Sequence, residues 1–367
     1  MPFRSEVQSK NRQIVGIVPF LNKDEGESIM RNKKFVICVV NAFLIITFAP
    51  NAVFALSQNE TFEIAADRLV AAQTSDGEWL GEEGYTGSIV AGLIQAYEVT
   101  EKAEYKAAAE LGASFIITSA GGNFFGDEAY ALARLSEITG DPCYADDVLN
   151  FYDSMDTYTY LRGFEETDRS NEVFYVAHHA VAAHMVGAAD AEIWRQGLIQ
   201  YLSQIDNDLA YYPVMSLGVA TWALVQTGPM DDTLIDPFGF VGEPYWTGVK
   251  LGDLPQLLLS HQADSGEYAG SFYVRFDHAS PAEGYEASGY TEDTIYSVLG
   301  LIAADGLIAA DGTELDFDAE VQSARKALAN AVSESGFVME HIWSSSYVYY
   351  AFGGELLQTM QAPPDSE

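Results

Sequence analysis

Between positions 316 and 334 the apolar residues Phe317, Val321, Ala324, Leu328, Ala331 and Val332 recur at intervals of four, three, four, three and one, which places them on one stripe of a helix. Other segments carry no polar face. Ser88-Ile-Val-Ala-Gly-Leu-Ile94, Val214-Met-Ser-Leu-Gly-Val-Ala220 and Ile295-Tyr-Ser-Val-Leu-Gly-Leu301 are apolar or small all round, as helices enclosed by other helices must be. The two kinds alternate. Amphipathic helices are predicted over about 60–73, 102–118, 142–155, 188–204, 252–262 and 316–334, and enclosed ones over about 84–100, 126–139, 170–187, 211–227, 290–304 and 344–360. Nothing reads as a sustained strand; Phe272-Tyr-Val-Arg-Phe276 is the one short candidate.

The punctuation between helices repeats as well. Val99-Thr-Glu-Lys-Ala-Glu-Tyr105 aligns with Ile138-Thr-Gly-Asp-Pro-Cys-Tyr144 at an offset of 39 residues, each joining one helix to the next. In the second copy Gly140 can stop a helix, Asp141 can cap the following one and Pro142 suits its first turn. Six outer helices paired with six inner ones give an all-α (α/α)6 toroid. Residues 1–55 form an N-terminal extension with a signal peptide, and residues 56–367 a single toroid domain.

A seven-residue phrase also occurs twice, Gln73-Thr-Ser-Asp-Gly77-Glu-Trp79 and Gln262-Ala-Asp-Ser-Gly266-Glu-Tyr268, each time after an outer helix. Gln can bond loose backbone groups at a helix end, Gly can adopt the left-handed conformation that stops the helix, and the ring can pack back over the turn. The phrase resembles the QW repeat of the squalene cyclase and protein prenyltransferase superfamily, whose members are toroids of paired helices. That resemblance implies architecture first. It extends to Tyr290-Thr-Glu-Asp-Thr294, similar to the Asp-x-Asp-Asp-Thr motif of squalene-type cyclases, with Glu292 at the proton-donor position, Asp293 beside it and Tyr290 replacing the first Asp.

The N-terminal leader changes the expected destination. Met30-Arg-Asn-Lys-Lys34 and the apolar run Phe35–Phe48 precede Val53-Phe54-Ala55, which places small residues where a signal peptidase reads. A secreted protein, extracellular or periplasmic, is expected, with an uncleaved anchor as the alternative. The apolar run is short for a membrane span, so no stable membrane association is expected after cleavage. The chain has a net charge of −36, and seven of its 18 basic residues lie in the leader, which makes nucleic acid an excluded partner. Cys38 lies in the leader, leaving Cys143 alone, so a disulfide within the mature chain and a cysteine-rich zinc site are excluded.

In a toroid of this kind the inner helices all begin at one end. The loops leading into them, about 74–86, 119–127, 156–170, 205–212, 263–290 and 335–345, should surround one mouth. The loop 229–251 should lie at the opposite end, where Tyr245 and Trp246 would cover the base of the core. Carboxylates at inner-helix starts, Asp127, Glu128, Glu172, Glu292 and Asp293, are the candidate catalytic groups, since two of them in unlike environments could divide into an acid and a base. Helix capping explains the same placement. Arg162, Arg169 and Arg275 fall in mouth loops and could receive a carboxylate such as a uronic acid, or could pair with acidic neighbours including Asp277. Tyr85, Tyr175, Tyr212, Tyr290, Trp343 and Tyr347 complete the candidate substrate-binding set. Asp141-Pro-Cys143-Tyr144 looks like a prenyltransferase zinc motif but falls at the wrong end, and His178, His179 and His184 lack metal-ligand spacing, so neither a metal nor a cofactor is expected.

An extracellular carbohydrate is the accessible substrate class for a secreted acidic toroid, attacked by hydrolysis or lyase chemistry. The alternatives are non-catalytic binding of carbohydrate or protein, and isoprenoid chemistry of the cyclase or prenyltransferase kind.

Overall fold

The computed structural model describes residues 58–79, 85–163, 169–237, 239, 244–266, 268–278, 286–309 and 312–331, all within one compact unit spanning Ala55–Glu367. Among the described residues the chain is helical: α1 Gln58–Ala72, α2 Thr86–Thr100, α3 Ala103–Ala120, α4 Gly126–Thr139, α5 Pro142–Ser154, α6 Thr157–Gly163, α7 Arg169–Met185, α8 Ala191–Leu202, α9 Pro213–Thr227, α10 Leu254–Leu259, α11 Glu286–Ala304 and α12 Asp318–Ala331. Three isolated bridges are the only β-type pairings among them. The strand considered over 272–276 reduces to one of these, between Gln262 and Phe272.

The enclosed helices pack in succession, α2 on α4, α4 on α7, α7 on α9 and α9 on α11. Outside this row, α3 leans on α2 and α4, α5 on α4 and α7, α8 on α7 and α9, and α10 on α9 and α11, while α12 touches both α11 and α1. Burial follows the sequence pattern. In α9 every residue from Pro213 to Leu224 is buried, whereas α3 buries only the stripe Tyr105, Ala108, Ala109, Gly112, Ala113 and Ile116. α9 and α11 lie closest because small residues face each other: a Cβ on Gly218 would stand 2.6 Å from the Tyr296 carbonyl carbon, and one on Gly300 2.7 Å from Gly218 O. A methyl group at either position would push the two helices apart.

Both repeats have a common structural role. Glu101 and Gly140, equivalent in the 39-residue alignment, are left-handed C-caps with φ 56° and 71°, and their N–H groups donate to Tyr97 O and Ser136 O. Thr100 Oγ1 donates to Ala96 O and Thr139 Oγ1 to Leu135 O, both at 2.7 Å. In the repeated phrase, Gln73 Nε2 donates to Ala108 O of α3 (2.9 Å) and Gly77 O (3.2 Å). Gln262 Nε2 donates to Glu320 O of α12 and Gly270 O, both at 2.9 Å. Each glutamine thus ties the end of one outer helix to the backbone of the next. Trp79 is fully buried and its Nε1 donates to Leu69 O (2.8 Å).

Two expectations change. The predicted loop 156–170 contains the short helix α6, which begins because Asp156 accepts from Thr159 N (3.2 Å) and Oγ1 (2.7 Å), leaving its carboxyl below the usual range. The segment 229–251 does not confine Tyr245 and Trp246 to the far end. Ile235 N–H donates to Val249 O and Leu251 N–H to Thr233 O, so the segment doubles back on itself as a hairpin. Trp246, fully buried, donates its Nε1 to Ile205 O (2.8 Å), and Tyr245 stacks on Phe276 with centroids 3.8 Å apart. Both contacts belong to loops entering inner helices.

Candidate functional site

The starts of the inner helices gather at one end through direct contacts. Asp127 Oδ2 in α4 accepts from Ser88 N and Oγ at the start of α2, both at 2.9 Å. Asp293 Oδ1 accepts from Met215 N at the start of α9 (2.6 Å), but α11 begins at Glu286, so Glu292 and Asp293 lie within that helix and not at its start as the sequence pattern suggests. Tyr212 N–H donates to Ser170 Oγ at the start of α7 (2.9 Å). A Cβ on Gly126 would overlap Tyr175 O, so α4 and α7 also meet here.

The candidate carboxylates are therefore engaged with the fold. Asp127 and Asp293 are buried and bond an N–H in the first turn of a neighbouring helix. Such unpaired donors favour an anion. Glu128 Oε2 accepts from Phe125 N (2.9 Å) and caps its own helix, and fully buried Glu172 accepts from Arg169 Nη1 (2.7 Å). Burial raises the Asp127 carboxyl from its ordinary 3.8 to about 6, against the opposing pull of the Ser88 bonds. Its Oδ1 is buried with no hydrogen-bond partner. The side chains of Glu292 and Tyr290, and all of Trp343 and Tyr347, lie outside the described residues.

Around these groups stand exposed rings. Tyr85, Phe125 and Tyr211 are 39%, 38% and 64% exposed, and Phe125 lies against half-buried Tyr175 at 5.5 Å between centroids. Half-buried Tyr212 precedes α9. Beside Phe125 opens a groove of about 480 Å3 between the ends of α3 and α5, floored by Ile117, Phe124 and Phe151 and edged by Asn123, Asp147, Asn150 and Ser154. Among the described residues, none of those lining it is basic. Of the arginines, Arg162 is exposed at the end of α6, Arg169 pairs with Glu172, and Arg275 donates Nη1 to Asn207 O (3.0 Å) and Nε to Asp277 Oδ1 (3.4 Å).

The same end holds a group that the sequence reading passed over. Tyr245 Oη lies 2.6 Å from His261 Nε2, and His261 Nδ1 lies 3.0 Å from His278 Nε2. His261 is buried and His278 exposed. Tyr273 stacks on the His278 ring at 4.2 Å, and His278 has φ 57°, left-handed for a residue with a Cβ. His178 and His179, by contrast, are interior residues. His178 bonds Phe174 O through Nδ1 (2.7 Å) among Tyr130, Phe174 and Trp222, while His179 stacks between Phe151 and Trp194. Burial lowers them to about 4 and about 3.

Among the described residues no cluster of three or more His, Cys, Asp or Glu could hold a metal ion, and no helix is long and apolar enough to cross a membrane. No family model, curated protein or solved structure matches the chain.

Proposed function

We propose that this chain is a secreted (α/α)6 toroid of the squalene cyclase and prenyltransferase-like kind, and that the end where its inner helices begin acts on an extracellular polysaccharide. Closure of the ring is supported by the contact between α1 and α12, the first and last described outer helices. The two equivalent glutamine ties support the QW-type repeat.

The groove beside Phe125 carries the carbohydrate reading. Amides that both donate and accept, a carboxylate and a hydroxyl line a cleft with an aromatic floor. Sugars offer the matching surface, hydroxyls around an apolar ring face. The exposed rings of Tyr85, Phe125 and Tyr211 extend that surface across the same end. Hydrolysis by the pair of carboxylates that glycosidases use is the less favoured route, because Asp127, Glu128, Glu172 and Asp293 are already bonded within the fold. Affinity electrophoresis of the full chain through gels containing soluble polysaccharides tests the reading. Retention should occur in at least one gel, and Asn150→Ala should weaken it about two- to tenfold, the worth of one hydrogen bond. Free migration in every gel would refute it.

A further inference from the structure

We propose that His278 is the base of a β-elimination at a 4-linked uronate unit, with Arg275 receiving the uronate carboxylate and Tyr245 and His261 holding the imidazole in place. The proposal rests on the carbohydrate reading and names the substrate class and reaction at the same end of the fold. Its geometric basis is the hydrogen-bonded series Tyr245, His261, His278, which runs from a half-buried phenol through a buried ring to an exposed one. In a His–His bond one nitrogen donates and the other accepts. When His278 Nε2–H donates to His261 Nδ1, and His261 Nε2–H donates to Tyr245 Oη, the lone pair of His278 is left on Nδ1, the nitrogen not engaged by His261. Burial and the neighbouring His278 lower His261 to about 4, so it stays neutral, the charge state this tautomer requires.

The backbone supports a functional role for this turn. His278 has a left-handed conformation that costs a β-carbon residue free energy, and its N–H donates to Arg275 O (3.1 Å), placing imidazole and guanidinium on one turn. Arg275 commits Nη1 to Asn207 O and Nε to Asp277, and its remaining N–H groups suit a carboxylate. In the proposed step His278 Nδ1 takes the proton on C5, next to the carboxylate. The electron pair of that C–H bond becomes the C4=C5 double bond, the C4–O bond breaks, and the departing oxygen takes a proton from the imidazolium. Arg275 stabilises the charge that collects on the carboxylate as C5 is deprotonated. The products are an unsaturated uronate end and a new hydroxyl end, with no co-reactant. The net charge of −36 opposes a polyanion at long range, but screening at physiological salt shortens that repulsion to about 8 Å.

The test incubates the full chain with polygalacturonate, alginate and hyaluronan at 0.15 M salt and follows the ultraviolet absorbance of the unsaturated product. Absorbance should rise with at least one polymer. His278→Asn, whose side chain tolerates the left-handed backbone, should lower kcat/KM at least 100-fold with an unchanged unfolding temperature. Tyr245→Phe should lower kcat about tenfold with little change in KM and move the acid limb of the pH profile, which loss of packing alone would not do. The groups in contact with the His278 ring are Tyr273 and His261, and the charged groups on its own turn are Arg275 and Asp277. No unsaturated product from any of the three, or full activity in His278→Asn, would overturn the elimination. Retention of His278→Asn in polysaccharide gels would show that the carbohydrate reading survives that failure, whereas free migration of the parent chain in every gel would remove both.

Discussion

Asp127 should make this protein less stable as the solution is brought from acid to neutral pH. Its carboxyl is 2% exposed, and burial raises it from 3.8 to about 6 in the fold. A group whose folded value lies above its unfolded one contributes its full stability below pH 3.8 and loses that contribution as the pH rises through 6. At 1.36 kcal/mol per pKa unit the loss is about 3 kcal/mol. Asp127→Asn cannot ionise, and its amide oxygen can still accept from Ser88 N and Oγ. The change also places an amide nitrogen at the unpartnered Oδ1, but that penalty is the same at every pH. The difference in unfolding free energy between variant and parent should therefore grow in favour of the variant by about 3 kcal/mol between pH 3.5 and pH 7.5. Urea titrations followed by tryptophan fluorescence at four or five pH values would measure it. A difference that stays flat across that range would mean the carboxylate is solvated and the tight approach of α2 and α4 is wrong.

The buried histidines act in the opposite sense. His178, His179 and His261 are held at about 4, 3 and 4, so the stability they lend is complete above 6.5 and is lost as the pH falls through those values; His179→Phe should flatten part of the acid limb of a pH-stability curve, and an unaltered limb would contradict the burial of that ring. The two copies of the repeated phrase should respond unequally to Gly→Ala. At Gly77, φ is 92° and a Cβ would overlap Leu111 O, so Gly77→Ala should cost well over 2 kcal/mol, whereas Gly266, φ 88° with open space around it, should cost about 1–2; equal losses in thermal melts would refute the packing of α3 over the first copy. Gln262→Leu strips Glu320 O and Gly270 O of a donor and should destabilise by about 1–3 kcal/mol, and a melting temperature within error of the parent would show that α12 is not held by this bond.

The helices were legible because their pattern is local. α4 begins and ends where its apolar run and Thr139-Gly140 place it, and the aligned links at 101 and 140 share one backbone geometry. The 39-residue offset carried more than was read from it. It superposes Ser88 on Asp127, and these two residues bond each other across α2 and α4, so the repeat itself marked Asp127 as a partner for the neighbouring helix. The Tyr245 site was hidden for a different reason. The hairpin 233–250 has no apolar period, and Trp246 is fixed by a carbonyl 41 residues away. The available signal was chemical: His261 stands one residue before the second copy of the repeated phrase, and His278 ends the aromatic run from Phe272. Local sequence also could not separate a carboxylate that caps a helix from one that faces a substrate, since both begin an inner helix.

Hydrogen–deuterium exchange of the full chain, with and without an oligosaccharide cut from a polymer that retains it in gels, tests the central claim most directly. Binding at the helix-start end should protect backbone amides in 85–88, 123–128, 205–212 and 272–278, and leave the turns at 100–103 and 139–142 unchanged. Protection confined to those latter turns, at the opposite end of the helices, or no protection by a saturating oligosaccharide, would contradict it.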